Sequence, residues 1–170
     1  MILATLAALV FLSDAACPIA ASAALPELTG TWQVLQIFGV DRPQPDSATA
    51  RATFSPELQS CLIREQLRAE RGTPPYEALI LWGANGADGS IQRILAHSQH
   101  GRFGMYEGRR SGGTITLRQL SNSVQPSAEI VENVVLFRDA DHFVWSSRLS
   151  SDAGRTWQEL SRWEYARARP

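Results

Sequence analysis

Lysine is absent from this chain. All 16 basic residues are arginines, and among these only Arg109 and Arg110 are adjacent. With 17 acidic residues the formal net charge is −1, so there is no field of one sign to steer a polyanion. Nucleic acid is excluded as a partner on that ground. Cysteine is scarce, with Cys17 and Cys61 the only two. The sequence has no G-x-S-x-G motif and no glycine-rich phosphate loop ahead of a helix. No catalytic residue, metal-ligand set or cofactor is therefore assigned. His97 and His100 could both meet a metal only through a tight turn at Ser98-Gln99, since residues three apart on a strand point to opposite faces.

Long apolar runs are also missing, with one exception. Ile2 to Leu12 is almost wholly apolar, but too short to span a bilayer as a helix. Small residues follow and end in Ala21-Ser22-Ala23, the A-x-A pattern of a signal-peptidase site. Residues 1–23 read as a signal peptide and 24–170 as one domain, periplasmic or secreted, with no transmembrane segment in the mature chain. No basic residue precedes the apolar run. Asp14 sits where a lipobox needs a large apolar side chain, which argues against a lipid anchor at Cys17. A cut after Ala23 leaves Cys61 alone, so no internal disulfide is expected and a packed core must supply stability.

What the sequence does have is alternation. Phe143, Trp145 and Leu149 share one parity, and Trp157, Trp163 and Tyr165 share one parity on the returning side. Such patterns put one set of side chains on each face of a strand. Similar runs lie at Thr31–Val40, Ala48–Phe54, Leu58–Arg71, Tyr76–Ala84, Ile91–His97, Thr114–Leu120 and Ala128–Arg138. His100–Glu107 is broken by glycines and predicts a strand with a bulge. Turn signals separate the runs, among them Gly72-Thr73-Pro74-Pro75, Asn85–Gly89, Ser111-Gly112-Gly113 and a loop at Ser121–Ser127. No helix is predicted after the leader beyond one turn before Trp32. The fold class is all-β: an antiparallel up-and-down, lipocalin-like barrel of about eight to ten strands. Closure removes exposed strand edges.

Three motifs carry resemblances. Ser150-Ser151-Asp152-Ala153-Gly154-Arg155-Thr156-Trp157 is similar to the Asp-box hairpin of propeller proteins. It occurs once, and a propeller needs many blades, so Asp152 reads as a turn residue and not as a catalytic acid. Gly30-Thr31-Trp32 resembles the G-x-W that opens lipocalins and fatty-acid-binding proteins, where the tryptophan closes one barrel end. Together with Ile63–Arg71, Pro74-Pro75-Tyr76-Glu77-Ala78 and Phe143-Val144-Trp145, these make the chain resemble an uncharacterised bacterial family, the domain of unknown function 1579. That resemblance implies a small lipocalin-like barrel and no catalytic residues. The family has Gly where this chain has Ala153.

The candidate ligand-binding residues are Arg64, Glu65, Tyr76, Trp82, His97 and Trp145. Glu65 falls in phase with Cys61, Ile63 and Leu67. His97 falls in phase with Ile91 and Leu95, with Arg93 between them. A charge on a core face is costly unless paired, so such positions mark either strand ends in water or a polar lumen. The leading expectation is a small apolar or amphipathic ligand bound inside a monomeric or weakly dimeric barrel. The alternatives are an enzyme using a lumen Glu or His, and a structural or interaction module with a filled barrel.

Overall fold

The computed structural model describes Cys17 and residues 20–69, 74–120 and 129–169. Most of the expected leader, the Ser121–Ser127 loop and the Gly72-Thr73 turn lie outside these. Ten antiparallel strands follow one another around a closed barrel. They are β1 (Gly30–Phe38), β2 (Asp46–Glu57), β3 (Leu62–Ala69), β4 (Tyr76–Ala84), β5 (Ile91–His97), β6 (His100–Ser111), β7 (Thr114–Gln119), β8 (Ile130–Phe137), β9 (His142–Ser150) and β10 (Gln158–Arg167). β1 also pairs with β10, from Trp32 opposite Arg167 to Phe38 opposite Ser161, and this ladder closes the barrel. The up-and-down barrel expected from the sequence is the fold.

Alternation decides which side chains fill it. Ile63, Glu65, Leu67 and Ala69 of β3 are buried, as are Ala78, Ile80 and Trp82 of β4, and these face the lumen. The alternate positions Gln66 and Arg68 are exposed. The β3 strand starts at Leu62 and not at Leu58. Leu58, Gln59 and Ser60 all take positive φ (48°, 57° and 71°) and form the β2–β3 turn. β6 is continuous to Ser111, and the register shift lies between Leu95 and His97 of its partner. Gly108 is required in β6, because a Cβ there would fall 1.8 Å from the Thr116 carbonyl oxygen.

The N-terminal segment corrects one expectation. Cys17 and Cys61 form a disulfide with Cα atoms 5.8 Å apart. The expected absence of an internal bridge rested on a cut after Ala23, which would remove Cys17. The residues around that position belong to the fold. Helix α1 (Ala21–Ala24) and a 3₁₀ turn (Pro26–Leu28) follow Cys17. Ala21, Leu25 and Leu28 are fully buried in the core. Ala21 lies in α1, Leu25 follows it with a non-helical backbone (φ −132°, ψ 51°) and Leu28 ends the 3₁₀ turn, so the three reach the core from two separate turns. A short pattern of small residues reads as a cleavage site locally, and the packing of these side chains against distant strands leaves no local signal. The Trp32 Nε1–H donates to the Leu28 carbonyl at 2.8 Å. Arg110 donates to both Glu27 carboxylate oxygens at 2.7 and 3.1 Å. Arg167 lies 4.3 Å over the Trp32 ring and donates to the Glu27 and Thr29 carbonyls.

The β9–β10 turn is held by its own side chains. Asp152 Oδ1 accepts from the backbone N–H groups of Arg155 (3.0 Å) and Thr156 (2.8 Å), and its Oδ2 accepts from the Thr156 hydroxyl at 2.6 Å. The Ser150 hydroxyl accepts from the Gly154 N–H at 2.7 Å. Asp152 is a turn residue, as its motif implies. Ala153 takes a left-handed φ of 58°, where a Cβ meets the following carbonyl. Replacing Ala153 by Gly should raise stability by up to about 1 kcal/mol in a denaturant titration. No gain would mean that the turn relaxes in solution.

The Thr156 hydroxyl, then the Thr156 backbone N–H, hold the Asp152 carboxyl down at about 2, against 3.8 for an ordinary aspartate. A depressed folded pKa contributes stability above the unfolded value, and that stability is lost as pH falls through the folded one. The denaturation midpoint should therefore drop between pH 3.8 and about 2. The Asp152→Asn chain should be less stable at neutral pH and should show a smaller drop across that window. Equal acid limbs in the two chains would show that Asp152 does not carry this effect.

Candidate functional site

The lumen centres on Glu65, which is 1% exposed. Its strand places it opposite Phe54 of β2 and Ile80 of β4. Trp82, two residues beyond Ile80 on the same face, donates its indole N–H to Oε2 at 3.0 Å. From across the barrel the Tyr165 hydroxyl donates to Oε1 at 3.0 Å. Burial pushes the Glu65 carboxyl above the usual range, while the Arg93 charge and these two donors pull it back. Burial, then the charge of Glu65, pushes the Tyr165 phenol well up.

Arg93 is the second buried charge, at 2% exposure. It lies on β5 directly opposite Trp82. Its guanidinium carbon sits 5.2 Å from the Trp82 ring, 5.5 Å from Trp145 and 5.6 Å from Tyr106. An arginine is weakly hydrated and planar, so aromatic faces can replace part of its water. Its Nη1 donates to Asn133 Oδ1 at 3.3 Å. No carboxylate among the described residues comes within ion-pair distance of it.

The candidate residues separate. Glu65, Trp82 and Trp145 meet in the lumen, and Trp145 packs on Trp163 with ring centroids 4.7 Å apart. Tyr76 and His97 lie together, with ring centroids 5.6 Å apart. Burial pushes the Tyr76 phenol up to about 12. Arg64 has the opposite parity to Glu65, and its Nε lies 3.0 Å from the Glu57 carboxylate, both side chains over one-third exposed. It is therefore not gathered with the lumen group. His100 stands opposite His97 in the β5–β6 register, but its side chain lies outside the described ones. Among the described residues no cluster of three His, Cys, Asp or Glu is placed to hold a metal.

Sequence reasoning did not select Arg93, Asn133, Gln36, Trp163 or Tyr165 as site residues. Arg93 carried a signal, since it lies in phase with Ile91 and Leu95. Trp163 and Tyr165 shared their parity with Trp157, which does not join them. A register shift between Glu159 and Ser161 breaks the phase, and Trp157 lies under the Arg148 guanidinium, 4.6 Å from its carbon. On the outer wall a different network forms around buried Glu132, which accepts from Arg118 Nε at 3.2 Å and from Arg148 Nε at 2.8 Å.

No protein-family model and no curated protein matches this chain. Solved structures do. The crystal structure of Rv2717c from M. tuberculosis superposes with a TM-score of 0.63 at 17% identity, over 89% of this chain and 99% of that one. A redesigned β-barrel gives 0.46 at 12% identity, over 86% and 96%. A protein of unknown function from the DUF3598 family of Nostoc punctiforme gives 0.48 at 16% identity, over 85% of this chain and 49% of that one. At such identities the first shows a shared fold and nothing of the site.

Glu65 has a direct test. An acid with a raised folded pKa contributes stability below its unfolded value, and this is lost as pH rises through the folded one. Wild-type stability should therefore decline as pH rises above 4.5, the ordinary glutamate value. In Glu65→Gln the amide oxygen can still accept from Trp82 and the amide N–H can donate to Tyr165. That chain should fold and should lose most of the decline. A decline unchanged in Glu65→Gln would assign it to another group.

Proposed function

We propose that this barrel binds one small amphipathic molecule in its lumen and acts outside the cytoplasm. The observation that carries the reading is the polar interior. Glu65, Arg93, Gln36 and Asn133 are all buried inside the barrel wall among aromatic rings. A lumen serving stability alone would be filled with apolar side chains, because buried charge is costly to retain. Ten strands also enclose a wider interior than the eight that side chains just fill. The Cys17–Cys61 disulfide fits an oxidising compartment. Among the described residues no helix is long and apolar enough to cross a membrane.

A catalytic role for Glu65 has less support, because both of its oxygens are engaged by Trp82 and Tyr165. The Gly30-Thr31-Trp32 entry and the Ser151–Trp157 turn support placing the chain with the domain of unknown function 1579, itself without an assigned activity. Two grooves of about 590 and 1340 Å³ lie along the barrel wall. Neither is lined by Glu65 or Arg93.

Native mass spectrometry of the protein purified from its own host tests the reading. A reproducible added mass, released on denaturation, is the expected result. A bare polypeptide that also fails to take up any lipid or aromatic probe would favour a filled structural barrel.

A further inference from the structure

The lumen contains an excess of one kind of hydrogen-bonding group. Five buried side-chain nitrogens have no partner among the described groups: Arg93 Nε, Trp145 Nε1, Trp163 Nε1, Gln36 Nε2 and Asn133 Nδ2. All five residues are more than nine-tenths buried. They are also neighbours. Gln36 stands opposite Trp163, and Trp163 opposite Trp145, in adjacent strands. Arg93 lies against the Trp145 ring and bonds Asn133. The two amides could present oxygen after a half-turn of the side chain. Arg93 and the two indoles have no such freedom, because they only donate. Leaving a buried donor unpaired carries its full desolvation penalty, so three of them together call for an acceptor that the described chain does not contain.

Glu65 is not that acceptor. Tyr165 and Trp82 occupy its two oxygens, and it makes no ion pair with Arg93. Arg93 is thus a buried cation with one neutral hydrogen-bond partner. Around it stand the rings of Trp82, Trp145 and Tyr106, with Trp163 packed on Trp145, and these would suit an apolar body. An amine offers these donors no lone pair when charged, and an alcohol offers one oxygen. A carboxylate offers two oxygens and a compensating charge, and bonds to it from ionised donors are the stronger kind.

We infer that the lumen ligand is an amphipathic monocarboxylic acid, its carboxylate seated against Arg93 Nε and the indole N–H groups of Trp145 and Trp163. This rests on the lumen-binding reading above and adds the ligand's head group.

The test uses the full folded chain, stripped of any native ligand by denaturation and refolding with its disulfide intact. Quenching of tryptophan fluorescence is titrated with octanoate, octanol and octylamine, then with dodecanoate and dodecanol, and with acetate as the head group alone. The acids should bind at least about tenfold tighter than the alcohols, and the amine should not bind. Trp145→Phe and Trp163→Phe keep an aromatic ring while deleting the donor along with part of the indole, and binding of the alcohol controls for the lost ring volume. Each should weaken the acid about fivefold and leave the alcohol unchanged. Arg93→Gln should abolish the preference for acid, and the two tryptophan variants decide the matter if that chain does not fold. Equal binding of acid and alcohol would overturn the carboxylate assignment and leave lumen binding standing. No binding of any probe in the series would remove both. Binding of acetate as tight as that of octanoate would show an anion site without the apolar body and would also overturn the proposal.

Discussion

The ladder between β1 and β10 is the constraint on which the other contacts depend. Until it forms, both terminal strands are edges with unpaired backbone groups. Once it forms, every strand has two neighbours and no register can slip without moving its side chains to the other face. The same ladder brings Val34 opposite Tyr165 and Gln36 opposite Trp163. It thereby carries Tyr165 to Glu65, a hydrogen bond spanning 100 positions of sequence. The polar lumen is therefore a product of closure and could not assemble on an open sheet.

The N-terminal segment acts on the same ladder from outside it. Trp32 begins β1, and its ring is covered by Arg167 of β10 while its indole N–H reaches back to Leu28. Arg110 grips Glu27 from β6. The disulfide ties the segment to the end of the left-handed β2–β3 turn. Three separate parts of the barrel thus hold one short helical piece. Its apolar residues complete the core at the end where β1 begins, and the site residues Gln36 and Asn133 lie further along their strands. The plugged end supplies rigidity, which the proposed site of fixed buried donors requires.

Much of this was legible in the sequence, because the side-chain period of a strand is a local property. The succession of runs and turns and the all-β class follow from such local signals, whereas alternation separates the two faces of β3 without saying which of them is inward. The turn at Asp152 follows from the chemistry of its own eight residues. The failures have a common cause. The disulfide, the buried face of Ala21–Leu28 and the exclusion of Trp157 all depend on contacts between distant segments or on a single-residue shift. A bulge is invisible to a parity count, and it reverses the count for everything beyond it. Half of the lumen group was readable for the same reason. Glu65, Trp82 and Trp145 share a phase with apolar neighbours, whereas Arg64 has the opposite parity to Glu65.

Arg93 shows what phase can and cannot say. Its position between Ile91 and Leu95 places it on the inward face, and length alone would let it reach water at a strand end. What keeps it buried is the set of aromatic rings contributed by β4, β6 and β9. Aromatic faces stabilise the cation but leave its Nε unpaired among the described residues, since a ring accepts poorly in the plane of the guanidinium. The two neighbouring indoles have the same deficit. Residues chosen only to pack would satisfy themselves, as Glu132 does on the outer wall between two arginines. The lumen group satisfies its one acid twice over and leaves Arg93 Nε and the indole N–H groups of Trp145 and Trp163 without a partner among the described residues, and that asymmetry is what supports the proposed ligand.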